Sequence, residues 1–491
     1  MNIRIIMYIM GLLLVCNASF MLLASVISFA MGDDVAMDIL IAALLTSSLG
    51  VLGMYAFRNH KKELRKREGF FIVGAGWLLL VFSGVLPYVF SDTIKGFENA
   101  FFETMSGYTT TGSTVIDHIE ILPKGILLWR SLTHWIGGMG IIVLAIAIIP
   151  LLGIGGMQLF AAEAPGPGGD KLHPRITDTA KRLWYIYVGY TLVETILLWG
   201  AGMSLFDALN HSLSTMSTGG FSTKNSSIAF WNDQPLIQYI IIVFMFLAGT
   251  NFVLSYYALT GKVQKVLQDD EFRFYFKLIF VFAIITTLGI RYYSDFSATQ
   301  IGWEPIESAF RHGLFQVVAV ITTTGFVTSD FTAWNSFLTV LFFGLMFAGG
   351  SSGSTSGGVK IVRHLLIIKN SLLEFKRSLH QNAIIPVRFN SRAVDKQIVD
   401  NVIGFFVLYM LLFIAGSAVL ALCGLDFETA IGGAASALGN VGPALGEINP
   451  VSTYAALPIA AKICLSVLML LGRLELFTIL ILVSPSFWRK F

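Results

Sequence analysis

The chain has 491 residues, of which 55% are hydrophobic and only 13% charged, with a formal net charge of +3. Soluble domains carry roughly 25% charged residues, so this composition excludes a soluble core and means a polytopic membrane protein with no nucleic-acid partner. Cys16, Cys423 and Cys464 lie far apart in apolar runs, a pattern that suggests neither a disulfide framework nor a CxxC metal site.

Apolar runs able to span a hydrocarbon core of roughly 30 Å lie near 5–30, 36–57, 69–90, 125–152, 183–205, 236–259, 274–293, 336–348, 399–422 and 457–483. The first is longer than the apolar region of a signal peptide, about 7–15 residues, and reads as a transmembrane helix. The eighth is interrupted by "GGSSGSTSGG" at 349–358 and resumes at 359–375. Ten spans are expected, one of them broken. Lys and Arg concentrate in 58–68, around Lys171–Arg182 and Lys262–Lys265, across Lys360–Lys396 and in the terminal "FWRKF". Ten spans place all of these, and both termini, on one side, which the positive-inside rule makes the cytoplasm.

Four half-apolar segments, 93–107, 206–215, 305–320 and 427–438, are too short to span and fall on the external side. They read as re-entrant helices. Each opens with an acid, in "FENAFF", "FDALNH", "IESAFR" and "FETAIG", which suits the positive end of a helix dipole or serves simply as a helix start.

A polar turn follows each segment: "YTTTGST" after the first, "MSTGGFST" after the second, "ITTTGFVT" after the third and "GNVGPALG" after the fourth. With Gly112, Gly219, Gly325 and Gly442 as marks, the spacings are 219 − 112 = 107, 325 − 219 = 106 and 442 − 325 = 117. The fold class that follows is all-α: four pseudo-repeated units of span, short helix, turn and span, preceded by two extra helices. The expected boundaries are 1–67 for the helix pair, then 68–160, 161–265, 266–398 and 399–491. Irregular backbone at membrane depth must be buried in protein or line a water-filled cavity. Four such turns can close into a ring, and a ring of backbone carbonyls can replace a cation's hydration shell.

Together "SGYTTTGST", "HWIGGMGIIVLA", "STMSTGGFST", "ITTTGF", "GGSSGSTSGGVKIVR", "GNVGPALG" and "LLGRLELFTIL" make the chain resemble Trk-type pore subunits of the Trk/Ktr/HKT superfamily of potassium transporters. The match runs over nearly the whole chain, including the N-terminal helix pair. The resemblance implies a K⁺ filter at Thr110, Thr111 and Gly112; at Ser217, Thr218 and Gly219, with Gly220 adjoining; at Thr323, Thr324 and Gly325; and at Asn440, Val441 and Gly442. In that superfamily Ser at the first filter position goes with sodium preference, so Gly112 implies potassium. The resemblance also implies an intramembrane gating loop containing Gly349, Gly350, Ser351, Ser352, Gly353, Gly357 and Gly358, a homodimer, a bacterial inner-membrane location, and a separate cytosolic ring that binds NAD(H) or ATP. No organic cofactor is expected in this chain, and no Rossmann fingerprint is present. The basic loops could dock such a ring or only satisfy the positive-inside rule.

Several readings stay open at this level. Loop 349–358 could be a passive kink. Arg473, mid-run in "MLLGRLELF", needs a cavity or a partner. It either points inward below the filter, with a link to gating, or forms a structural ion pair with Glu475 or Glu194. His134 reads as a packed residue, not a ligand. A Na⁺- or H⁺-coupled K⁺ symporter on the same scaffold is the alternative within transport. An intramembrane hydrolase using Ser351 of "GGSSG" is the alternative outside it, although no His or Asp partner is evident. "GSTSGGVK" lacks the ending of a phosphate loop.

Overall fold

The computed structural model describes residues 2–59, 66–143, 172–293, 305–380 and 382–489. The expected boundary at 160/161, much of the basic stretch 58–68 and Lys171 fall outside the described residues.

The chain opens with helices Ile3–Ala30 and Ala36–Ala56, each long enough to cross a bilayer at 1.5 Å per residue. They lie closely together because glycines face each other at the crossing. A Cβ on Gly11 would stand 2.6 Å from Gly50 O, an approach that small residues permit between membrane helices. Between them, Asp33 accepts the backbone N–H of Gly125 at 2.8 Å, satisfying one orphan donor at the start of helix Lys124–Val143.

Four units follow. The first runs Lys66–Gly84, Leu86–Phe90, Phe97–Tyr108 and Lys124–Val143; the second Leu172–Gly200, Leu205–Met216, Pro235–Ala248 and Phe252–Leu259. Asp270–Tyr293, Pro305–Ile321, Ser336–Leu345 and Ile361–Leu379 form the third, and Lys396–Leu422, Phe427–Gly439, Ile459–Arg473 and Phe477–Val483 the fourth. The short helices therefore stand where the sequence puts them. Each carries its acid in the first turn: Glu98, Asp207, Glu307 and Glu428. Outer helices present apolar side chains outward, as with Leu411, Ile414 and Leu422. The short helices are enclosed, with Thr429–Ala430 and Gly432–Gly439 all buried. A two-stranded hairpin, Arg388–Phe389 with Arg392–Ala393, is the only β-pairing of strands among the described residues.

The expectation of one broken span needs correction. The run 236–259 bends by 109° between Ala248 and Phe252, and the run 457–483 bends by 115° between Arg473 and Phe477. Five described helices are long and apolar enough to cross a membrane, or seven if each bent pair counts as one span. Arg473 is consequently not mid-helix. It closes a helix, where the partly negative C-terminal end favours a cation.

Candidate functional site

The four turns share one backbone conformation. Thr110, Thr218, Thr323 and Asn440 all adopt left-handed φ of 51–56°. Each short helix ends in the same pair of hydrogen bonds. Thr110 N–H reaches Gly107 O and Thr111 N–H reaches Ser106 O; Thr218 reaches Thr215 O and Gly219 reaches Ser214 O. Thr323 and Thr324 bond Val320 O and Ala319 O, and Asn440 and Val441 bond Ala437 O and Ser436 O. These are Schellman closures, made here by side-chain-bearing residues at the position glycine usually fills.

Two residues further on, φ is again positive at Gly112, Gly220, Gly325 and Gly442. These glycines close the ring. A Cβ on Gly112 would collide with Gly219 O, one on Gly220 with Thr324 O, one on Gly325 with Val441 O and one on Gly442 with Thr111 O, all within 3.0 Å. Each turn thus sets its glycine against a carbonyl of the next, in the order one, two, three, four and back to one.

This geometry corrects the register of the second turn. Gly220, not Gly219, is the counterpart of Gly112, and the second set is Thr218, Gly219 and Gly220. Ser217 stands one place earlier, with Thr109 and Thr322. Two adjacent glycines left the sequence ambiguous there, and spacing alone chose the wrong one.

Side chains behind the ring hold its shape. Thr109 Oγ1 donates to Met105 O at 2.7 Å and lies 2.8 Å from Thr111 Oγ1; Thr322 repeats this with Val318 O and Thr324 at the same distances. The fourth turn lacks threonine, and Asn440 takes over. Its Nδ2 donates to Thr111 Oγ1 at 3.1 Å and to Met469 O at 2.9 Å.

Loop 349–358 lies directly against the ring. Gly357 N–H donates to Thr323 Oγ1 at 2.7 Å, and a Cβ on Gly357 would meet Asn440 Cβ at 2.7 Å. The loop is irregular but well bonded. Gly349 N–H reaches Val359 O at 2.9 Å, Ser351 N–H reaches Gly249 O at 2.8 Å, and Gly353 O accepts from Phe252 N at 3.2 Å. Gly350 N–H bonds Ser356 Oγ at 2.9 Å, Ser352 N–H bonds Glu271 Oε1 at 2.6 Å, and Gly358 takes φ 67°. Thr355 Oγ1 reaches Met216 O at 2.9 Å and Ala248 O at 3.2 Å. Lys360 Nζ donates to Ser356 O. The breaks of the second, third and fourth units therefore meet at this loop.

Arg473, 2% exposed, donates from Nη1 to Thr355 O at 2.7 Å and from Nη2 to Gly137 O at 3.0 Å. Its contact is with the loop. Of its expected ion-pair partners, Glu475 bonds Arg363 at 2.6 Å instead, and no ion pair joins Arg473 to Glu194. His134 stacks on Phe221 with centroids 3.9 Å apart and backs Gly219, a packing role. Ser351 Oγ is buried without a hydrogen-bond partner, so the nucleophile–base contact of a hydrolase is not assembled.

Sequence reasoning missed the pair Glu103–Arg130. The two bond at 2.8 Å with side chains 0% and 1% exposed. Glu103 also accepts Val115 N–H at 2.9 Å, and Arg130 reaches Ser222 O at 3.2 Å and lies over the Phe221 ring. The pair clamps the segments leaving the first and second turns. Its signal was present, since an acid in a re-entrant helix and an Arg within a span each demand a partner.

A family described as a cation transport protein, TrkH, matches residues 35–490. This chain belongs to the TrkH family. The Trk system potassium uptake protein TrkH of Halomonas elongata is 41% identical to it, and that of Salmonella typhimurium 39%, each over the whole of both chains. The crystal structure of the potassium transporter TrkH from Vibrio parahaemolyticus matches with a TM-score of 0.91 at 37% identity, again over the whole of both chains. The TrkH fold is thus the fold of this chain, and membership places it among membrane transport proteins, not enzymes.

Proposed function

We propose that this chain takes up potassium across the bacterial inner membrane, and that K⁺ passes through the ring formed by residues 110–112, 218–220, 323–325 and 440–442. The observation that carries the reading is the closure of four like turns, each glycine against the next carbonyl. Such a ring offers backbone oxygens in place of water around a dehydrated cation. The four short helices end at these turns, so their partly negative C-termini favour a cation at the ring. The related proteins are potassium uptake proteins of the Trk system, and glycine occupies the ring position in every turn.

Loop 349–358 and Arg473 form the gate in this reading. The loop lies against Thr323 and Asn440, and a guanidinium fixed to Thr355 O adds a positive charge that opposes cation passage. Opening requires the loop to leave. A separate cytosolic nucleotide-binding ring, reading NAD(H) or ATP, supplies that force, and the chain works as a homodimer with both termini cytoplasmic. Helix Ile361–Leu379 extends straight from the loop and exposes Leu372, Phe375 and Leu379, a face suited to such a partner.

The test is rubidium tracer uptake into liposomes holding the purified chain, with K⁺ or Na⁺ as competitor and no imposed gradient. Uptake blocked by K⁺ and hardly by Na⁺ supports a passive K⁺ filter. Uptake that begins only under a Na⁺ or H⁺ gradient would replace it with symport, and equal block by both ions would remove the potassium assignment.

A further inference from the structure

The first helix lies outside the four repeats, yet one of its side chains bonds the residue that ends the first short helix. Asn17 is 1% exposed, midway along helix Ile3–Ala30 and so at hydrocarbon depth. A carboxamide there is unfavourable unless both its ends are bonded. Asn17 Oδ1 accepts the hydroxyl of Tyr108 at 2.6 Å, and Nδ2 donates to Ser83 Oγ at 2.9 Å. The orientation of the amide is fixed by its neighbours. Ser83 commits its one proton to Leu80 O at 3.0 Å and can only accept from Asn17, which leaves Oδ1 for Tyr108.

Tyr108 is the last residue of the first short helix, two places before Thr110. It is fully buried. Its ring lies on Gly84, where a Cβ would stand 2.5 Å from Cε2, and its carbonyl abuts Gly137. The equivalent residues before the other three turns are Met216, Ile321 and Leu438. None of these carries a hydroxyl. The phenol occurs only in the first unit, and it points at the one carboxamide that the N-terminal helix offers.

We propose that Asn17 is a positioning residue for ion selectivity: through Tyr108 it fixes where the first turn begins, and the N-terminal helix pair acts as a brace for one quarter of the ring. This rests on the ring being the filter. Without the bond, Tyr108 can settle deeper or swing, and the first turn loses the spacing that the other three keep.

The full chain is reconstituted as wild type, Tyr108→Phe, Asn17→Leu and the double variant. For each, the K⁺ and Na⁺ concentrations that halve rubidium uptake are measured, together with thermal unfolding in detergent. Loss of one buried hydrogen bond should lower the ratio of Na⁺ to K⁺ inhibitory concentrations about three- to tenfold in each single variant. The double should be no worse than the poorer single, because both remove the same bond. A wild-type ratio in Tyr108→Phe, a fall in unfolding temperature alone, or additive losses would each overturn the brace. Should Asn17→Leu fail to fold, Tyr108→Phe decides, since it removes a single oxygen. A wild type without K⁺ preference sinks the filter reading itself, whereas a selective wild type with unmoved variants sinks only this inference.

Discussion

Thr110, Thr218 and Thr323 hold a backbone conformation that disfavours β-branched residues by about 1–2 kcal/mol each, and Asn440 adopts the same conformation at less cost. Three repeated outliers mark a constrained structure, and the constraint is the ring itself. Two residues on, the glycines have no such latitude. At Gly220 a methyl group meets a backbone carbonyl and a positive φ, while at Gly219, where φ is not positive, its nearest neighbour is the buried His134 ring at 2.3 Å, a side chain that can tilt where a carbonyl cannot. Gly220→Ala should therefore cut discrimination of K⁺ over Na⁺ at least about tenfold, and Gly219→Ala much less; competition of the two ions against rubidium uptake measures both. An equal or reversed order would contradict the register with Gly220 in the ring. Glu103→Gln strands the buried Arg130 cation and should destabilise the protein by about 3–5 kcal/mol, whereas Glu103→Leu with Arg130→Met together should recover most of that, as thermal unfolding of the three proteins would reveal. Gly112, Gly325 and Gly442 were legible from the sequence because a turn repeated at near-constant spacing stands out, whereas the adjacent pair Gly219 and Gly220 hid the register of the second turn. Glu103 and Arg130 were not linked, since 27 positions separate them and only the fold brings a re-entrant helix against that span.

At the level of elements, the loop 349–358 was plain in the sequence, being ten consecutive Gly, Ser and Thr residues that cannot hold a helix. The breaks at 249–251 and 474–476 were not. Leu474 and Leu476 are good helix formers, and tertiary contacts override them: Glu475 and Leu476 sit at φ 55° and 49°, with Glu475 held by Arg363. Propensity argued for one straight helix, and the need to converge on the loop prevailed. Arg473 bonds two carbonyls at that convergence, so Arg473→Ala should raise rubidium uptake by the chain alone about tenfold, and uptake equal to wild type would remove it from the gate. Thr355→Val deletes the hydroxyl that ties the loop to Met216 and Ala248. A smaller rise, about two- to fivefold, is expected in the same assay.

The molecule as a whole is four copies of one idea, made unequal. Its architecture could be read from the residues alone because length, apolarity and the repeat each restrict it independently, and membrane burial forbids most alternatives. The differences between copies could not. The first turn is clamped by an ion pair and braced by a helix outside the repeat, the third receives the loop, and the fourth substitutes Asn440 for threonine. Only contacts between distant segments create these roles. In the proposed reading of loop 349–358 as the gate, they are also what lets a single loop close a ring of four like turns.

The measurement that bears most directly on the central claim is anomalous diffraction from crystals of this chain grown in rubidium. An ordered Rb⁺ enclosed by the carbonyls of Thr111, Gly219, Thr324 and Val441, and displaced by K⁺ but not by Na⁺, is the result the ring predicts. Rubidium bound elsewhere along the chain with the ring empty would contradict it.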